Sequence, residues 1–238
     1  MNRADAIIAV TQAAASYLDR CDAIVGHGVD TSEFVPPANR SDAWRASGLP
    51  GTIGVGIFGR VRRSKGTDLF VEAMCQVLPR HPEVTAVITG QTKDGDRSFR
   101  EQLEQRIAEA RLEERIVFLG DLSFPEIKGW YQKVSLCVAV PRSEGFGLTP
   151  LEAMASGAPA LTSSEGCFPD LIVDDVNGRR IKTGDLKELV EALEHLLSNP
   201  LRLGEMGAAA RDIVEARWGI EAEVEGIHEV YEEARRRC

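Results

Sequence analysis

The chain of 238 residues has no excess of positive charge. Its 37 Asp and Glu outnumber its 28 Lys and Arg, giving a net charge of −9. That excludes a surface built as a whole to neutralise nucleic-acid phosphates. Paired cysteine spacing is also missing. The five cysteines, at 21, 75, 137, 167 and 238, form no Cys-x-x-Cys and have no His at ligand spacing. Neither a disulfide frame nor a zinc site is indicated, and a reduced, cytosolic setting fits. Long hydrophobic runs are absent too. The stretch MNRADAIIAVTQ has five apolar residues in a row before Thr11, too few for a secretory signal or a membrane span. The chain shows no internal repeat and no low-complexity tract.

What is present is a globular composition, 43% hydrophobic and 27% charged, able to bury a core along the whole chain. From residue 53 onward, short β-branched runs alternate with longer amphipathic ones. TIGVGIF, VTAVIT, RIVFLG, SLCVAV, APALTS and GRRIKT read as strands buried on both faces, and helices are expected at about 67–78, 97–110, 124–133, 150–156, 167–173, 185–197, 200–216 and 219–237. The alternation specifies βαβ units, hence an α/β fold with a doubly wound, Rossmann-like parallel sheet. Residues 1–35 differ: a strand (DAIIAV), a helix at about 12–19, a strand (DAIVGH) and the turn GVDTSEFVPP. One such unit cannot make a domain, so this segment reads as the tail of a preceding one.

The stretch GVGIFGRVRRSKG, residues 54–66, begins with Gly-x-Gly-x-x-Gly. A dinucleotide fingerprint needs a strand before its first glycine and a helix opening at its third. Here the glycines fall within the strand, and the helix begins only near Thr67. The segment from Gly59 to Gly66 is instead a loop at the carboxyl end of a strand, leading into a helix N-terminus that favours an anion. It carries the densest basic cluster, Arg60, Arg62, Arg63 and Lys65. An Arg fork and a Lys point charge together suit a diphosphate. A solvated basic loop is the other reading, as it is for Arg235, Arg236 and Arg237, which follow Glu232 and Glu233 at a helix end.

A second loop, PRSEGFGLTPLEAMASG at 141–157, follows the strand SLCVAV. Thr149, Pro150 and Glu152 read as N-cap, first-turn proline and capping-box glutamate of a short helix, and Gly157 as its C-terminal stop. Its N-terminus faces the same sheet edge as Arg60 and Lys65. Gly145 and Gly147 let the backbone approach a ligand closely. Glu152 has a structural explanation as a cap; Glu144, in a glycine-flanked loop, has none. Two carboxylates around an anion-binding helix start suit a ligand that carries hydroxyls as well as phosphate.

GRVRRSKG, the Glu-x7-Glu of EGFGLTPLE and the following AMASGAP resemble the retaining glycosyltransferases of family four, which have the GT-B architecture of two Rossmann-like domains facing a cleft. The linker GVDTSEFVP, FLG at 118–120 and GDLKELVEALEHLL extend the likeness over nearly the whole chain. FGRVRRSKGTDLFVEAM is nearest in wording to bacterial lipopolysaccharide core mannosyltransferases. The resemblance implies a remnant of the N-terminal domain plus linker at 1–35, a nucleotide-sugar-binding domain at 36–217 and a helix at 218–238 that crosses back. It puts Gly59, Arg60 and Lys65 at the donor diphosphate, Glu152 on the ribose, and Phe118 and Leu119 by the base. Glu144 and the backbone of Gly145, Phe146, Gly147, Leu148 and Thr149 would meet the transferred sugar and its phosphate. Catalysis would rest on Glu144, Arg60 and Lys65. Where the family often has Pro-Glu, this chain has Pro169 and Asp170.

The implied reaction moves a hexose, mannose favoured, with retention from a GDP-sugar or UDP-sugar to a saccharide or lipid-linked acceptor. It needs no metal or other cofactor; the Asp94-Gly95-Asp96 stretch reads as a turn. The implied setting is the cytoplasm, at the inner face of the membrane. Apolar surface facing the remainder of such an enzyme would be covered by residues 1–35 or by a second copy of the chain, as a homodimer. A non-catalytic nucleotide-binding module and a nucleotide-sugar enzyme of another class, an epimerase or phosphorylase, remain as alternatives.

Overall fold

The computed structural model describes residues 4–237. Met1 to Arg3, in the segment assigned to a preceding domain, and Cys238, the last cysteine and the end of the expected C-terminal helix, lie outside the described residues. Strands β1 (Ile8–Ala9) and β2 (Ala23–Ile24) flank α1 (Gln12–Ala15) and pair in parallel. After α2 (Arg40–Arg45) the βα alternation begins: β3 (Ile53–Phe58), α3 (Thr67–Val77), β4 (Val84–Thr89), α4 (Arg97–Glu109) and β5 (Ile116–Gly120). It continues with α5 (Phe124–Lys133), β6 (Leu136–Ala139), α6 (Leu148–Ala155), β7 (Ala160–Thr162), α7 (Phe168–Leu171) and β8 (Gly178–Arg180). Helices α8 (Leu186–Leu197), α9 (Pro200–Arg217) and α10 (Ile220–Arg237) close the chain.

The six strands expected after residue 53 form one parallel sheet, ordered β5-β4-β3-β6-β7-β8. Chain direction through the sheet reverses between β3 and β6, and ligands of open α/β sheets bind at that switch, beyond the carboxyl ends of the strands. Both faces are covered, as the unbroken apolar runs require. Val55, Ala86, Ile88, Leu136 and Val138 pack against α3, α4 and α8; Val87, Cys137 and Ala139 turn the other way, toward α5, α6 and α9. Burial pushes the Cys167 thiol up to about 12 and the Cys137 thiol higher still, so both pack as small apolar groups.

The helix α2 is not expected from the sequence, yet it explains the glycines of β3. Trp44 on α2 is 1% exposed, and a Cβ on Gly54 would lie 2.2 Å from its ring. A Cβ on Gly56 would meet Phe58 at 2.5 Å and Val134 at 2.9 Å. The first two glycines of the Gly-x-Gly-x-x-Gly stretch therefore make room for side chains inside the protein, not for a ligand.

Two arginines fasten the linker. Arg40 Nη1 donates to the carbonyls of Tyr131, Gln132 and Val134, and Nη2 to Ser156 at 2.7 Å; burial lowers its pKa to about 10, still charged at neutral pH. Arg211 donates to the carbonyls of Phe34, Ala155 and Thr31. The N-terminal segment covers α10 only in part. Val25 touches Gly226, but α10 has no buried residue, and Val224 and Tyr231 remain exposed. No described helix is long and apolar enough to cross a membrane.

Arg40→Ala strands carbonyls at the ends of α5 and α6. Urea denaturation is expected to show a loss of about 2–3 kcal/mol, and a change below ~0.5 kcal/mol would show that the clamp is idle.

Candidate functional site

The site is made where the loop after β3 meets the loop after β6. Gly66, with φ 74°, caps α3, and a Cβ there would lie 2.0 Å from the Val140 carbonyl oxygen. Only glycine permits both that left-handed conformation and that approach. The contact is sewn shut by Arg142. Its amide donates to Ser64 at 2.9 Å, and its guanidinium takes Asp68 in a two-pronged pair at 2.8 and 2.9 Å.

As a result Lys65 Nζ donates to Glu144 Oε2, an ion pair in which the side chains are 27% and 19% exposed. The pair stands at a cavity of about 350 Å³. Its floor is the carboxyl ends of β3 and β6, at Ile57, Phe58, Ala139 and Pro141. Gly147, Leu148, Thr149 and Pro150 bring the N-terminus of α6 to the same space, with backbone N–H groups that have no acceptor inside the helix.

The cap of α6 differs from the sequence expectation. Gly147, with φ 104°, is the N-cap, and Thr149 and Pro150 lie inside the first turn. A Cβ on Gly147 would sit 2.2 Å from the Phe168 ring, so packing against α7 selects the glycine and starts the helix early. Gly157, at φ 74°, does end α6: its amide donates to Met154 and that of Ala158 to Ala153, a Schellman stop. Glu152 is consequently no capping-box glutamate. Its Oε2 accepts from the buried Tyr131 hydroxyl at 2.7 Å. Burial raises the Glu152 pKa, the Tyr131 hydrogen bond opposing it, and burial together with the Glu152 charge drives the Tyr131 hydroxyl far up.

The other expected residues are more dispersed. Of the four basic residues in the first loop, Lys65 alone lines the cavity. Arg60 and Gly59 are exposed and do not line it, and Arg63 pairs with Asp68 at 3.1 Å. Phe118 and Leu119 sit on β5, two strands from β3, or ~10 Å at the usual strand spacing. Phe118 lies under the Arg100 guanidinium at 4.4 Å, and Leu119 packs into the α5–α6 side of the core. Gly145 is exposed, with open space where a Cβ would stand, and its carbonyl accepts from Thr11. Phe146 turns inward, 6% exposed. Asp94 pairs with Arg97 at 2.7 Å in an exposed turn, and Asp170 faces an adjoining cavity of about 340 Å³.

Sequence reading missed His27, which lines the cavity, and Phe168, which closes it. The signal for His27 was its place between two glycines in GHG, in a chain with four histidines. Phe168 left none, because an apolar residue opening a short helix looks like any core residue.

The family model for glycosyl transferases group 1 matches residues 48–213, a span that holds Lys65, Glu144 and Glu152 but not His27. Over 231 residues the chain is 41% identical to a lipopolysaccharide core biosynthesis mannosyltransferase, LpcC, of Rhizobium leguminosarum bv. viciae, covering 97% of this chain and 65% of that protein. It is 39% identical to the similarly named LpsB of Rhizobium meliloti, covering 98% and 66%. The chain thus spans about two thirds of the length of these relatives. Among solved structures, the C-terminal domain of a glycosyl transferase group 1 family protein (LpcC) from Francisella tularensis superposes with TM-score 0.78 at 36% identity, over 81% of this chain and all of that one. Anabaena HepE in complex with UDP and glucose shares the fold, with TM-score 0.86 at 24% identity over 97% of this chain and 64% of that one. The likeness is therefore of sequence and of fold at once, it runs through both loops that make the cavity, and the chain belongs to the glycosyl transferases group 1 family, with the architecture of a GT-B C-terminal domain.

Proposed function

We propose that this chain is the donor-binding part of a retaining glycosyltransferase that takes a hexose from a nucleoside diphosphate sugar. The observation that carries the reading is the Lys65–Glu144 pair at the switch point of the sheet, beside the α6 N-terminus. A ligand with both phosphate and hydroxyls exchanges that pair for two matched contacts. The diphosphate takes the Lys65 ammonium and the α6 amides, and Glu144 turns to accept from a sugar hydroxyl. Arg60, from the same loop as Lys65, adds a second cation, Glu152 receives the ribose, and the base extends toward Phe118 and Leu119 on β5.

As the glycosidic bond to phosphate breaks, positive charge grows on the sugar and negative charge on the leaving diphosphate. In this reading Lys65, Arg60 and the α6 amides meet that charge, stabilising the transition state more than the ground state. Two relatives are named as lipopolysaccharide core mannosyltransferases, which favours mannose, with GDP-mannose as donor and UDP-sugars as the alternative. The reading requires no metal or other cofactor, takes a saccharide of a lipid-linked core as acceptor, and sets the reaction in the cytoplasm at the inner membrane face. A non-catalytic binding module would hold the nucleotide without hydrolysing the donor.

Titration calorimetry of the chain with GDP and UDP tests the core of the reading. One of them is expected to bind, and Lys65→Ala to weaken it ~10- to 100-fold, the loss of one charge-assisted contact. Heat from neither nucleotide, or no loss on substitution, would overturn it.

A second expectation concerns Glu152. Burial keeps its proton bound to higher pH in the folded chain than in the unfolded one. Its contribution to stability therefore falls as pH rises through and above the glutamate range. Glu152→Gln, which keeps an acceptor for Tyr131, should melt no lower than the parent at pH 7 while binding nucleotide more weakly. A variant that melts lower and binds normally would mark Glu152 as structural.

A further inference from the structure

His27 occupies the crossing that joins β2 to the body of the domain, and its ring is held on two sides. Nδ1 lies 3.0 Å from Glu223 Oε1 on α10, while Glu223 Oε2 accepts the Gly28 amide at 2.8 Å. The ring stands edge-on to Phe146 at 4.8 Å and 74°. Burial alone would raise the Glu223 pKa, but the Gly28 amide and the His27 ring together hold it below the usual glutamate value. Glu223 is therefore a carboxylate, which only accepts hydrogen bonds. In the neutral imidazole the proton consequently sits on Nδ1, and Nε2 keeps its lone pair.

That lone pair has no partner among the described residues. The ring itself, 42% exposed at the side chain, lines the cavity of Lys65 and Glu144 and forms part of the wall it shares with the neighbouring cavities. The fold has no need of the ring to secure the crossing. Gly28 is pinned by Glu223, Val29 donates to the Trp218 carbonyl at 2.9 Å, and Ile220 donates back to Val29 at 3.1 Å. What the imidazole adds is an oriented acceptor at a cavity that Lys65 and the α6 N-terminus also line.

We infer that His27 is a sugar-facing residue, its Nε2 accepting a hydrogen bond from a hydroxyl of the hexose while Glu223 sets its tautomer. The inference rests on the donor-site reading above and assigns to it a residue outside the segment that the family model matches. Phe146, which joins the donor loop to His27, is also 6.0 Å from Trp218, so the loop, His27 and Trp218 share one aromatic cluster.

The test compares a nucleoside diphosphate with its sugar: GDP against GDP-mannose, and UDP against UDP-glucose, on the parent chain, His27→Phe and Lys65→Ala. The phenyl ring keeps the contact with Phe146 and removes both nitrogens. His27→Phe is expected to leave GDP or UDP affinity unchanged and to weaken the sugar-bearing ligand roughly 3- to 10-fold, the loss of one neutral hydrogen bond. Lys65→Ala should weaken both ligands together. In the parent, the His27 Nε2 nitrogen resonance, identified by its absence in His27→Phe, should shift with the nucleotide sugar and not with the bare nucleotide. Equal weakening of both ligands by His27→Phe would make the ring a structural pin and overturn the inference. So would unchanged binding of both, or a silent Nε2. A parent chain that binds no nucleotide at all would instead remove the donor-site reading, and this inference with it.

Discussion

Everything at the site depends on one close approach of two backbones. Gly66 lies so near the Val140 carbonyl that a Cβ would stand 2.0 Å from its oxygen, and no side chain larger than hydrogen keeps that geometry. Because the loops touch there, Lys65 reaches Glu144 although 79 residues separate them in the chain. Gly147 against Phe168 and Gly166 against the Phe146 carbonyl repeat the device on the other side of the loop. The cavity is thus lined by the two glycine-bearing loops together with apolar side chains such as Ile57, Phe58, Phe146 and Phe168, and Lys65, Glu144 and His27 bring charged or titratable groups to it.

Charges in the domain are kept in different ways. Arg142 pairs with Asp68, Arg40 spends its donors on carbonyls, and Arg211 divides its donors between carbonyls and Glu215, so each is satisfied within the fold. Lys65 has Glu144 as its one ion-pair partner among the described residues, and Glu144 accepts besides only from the Gly145 amide at 3.2 Å, which leaves the pair free to be exchanged. Glu152 is held against burial by a single tyrosine hydroxyl. A carboxylate kept in a place that disfavours its charge is a candidate for use.

Much of this was legible in the residues. The apolar runs named all six strands of the main sheet, because strands buried on both faces leave a continuous signal. The loop Gly59–Gly66 and the Glu144 loop stood out as candidate sites because their charges fit no apolar periodicity, and the fold brings Lys65 and Glu144 together. The first residues of α6 were misread: Thr149, Pro150 and Glu152 satisfy a capping pattern locally, but the Gly147–Phe168 contact outweighs it and shifts the start to Leu148. The helix α2 escaped notice because its six residues carry one buried anchor, Trp44. That anchor meets Gly54, a partner ten residues away that no local pattern couples to it.

By itself the sequence determined the sheet, the elements that flank it, the strand ends that carry charge, and the chemical kind of ligand those charges suit. Those features are local: they follow from periodicity, turn residues and the residue types in a single loop. The tertiary structure decided which charges meet. Lys65 was selected over Arg60, Arg62 and Arg63, Glu152 was turned from a cap into a partner of Tyr131, and His27 was brought to the cavity from a segment that looked like a linker. The physical reason is that hydrogen bonds and ion pairs act over a few ångströms, so which groups form them is fixed only when packing has set the separation of distant loops.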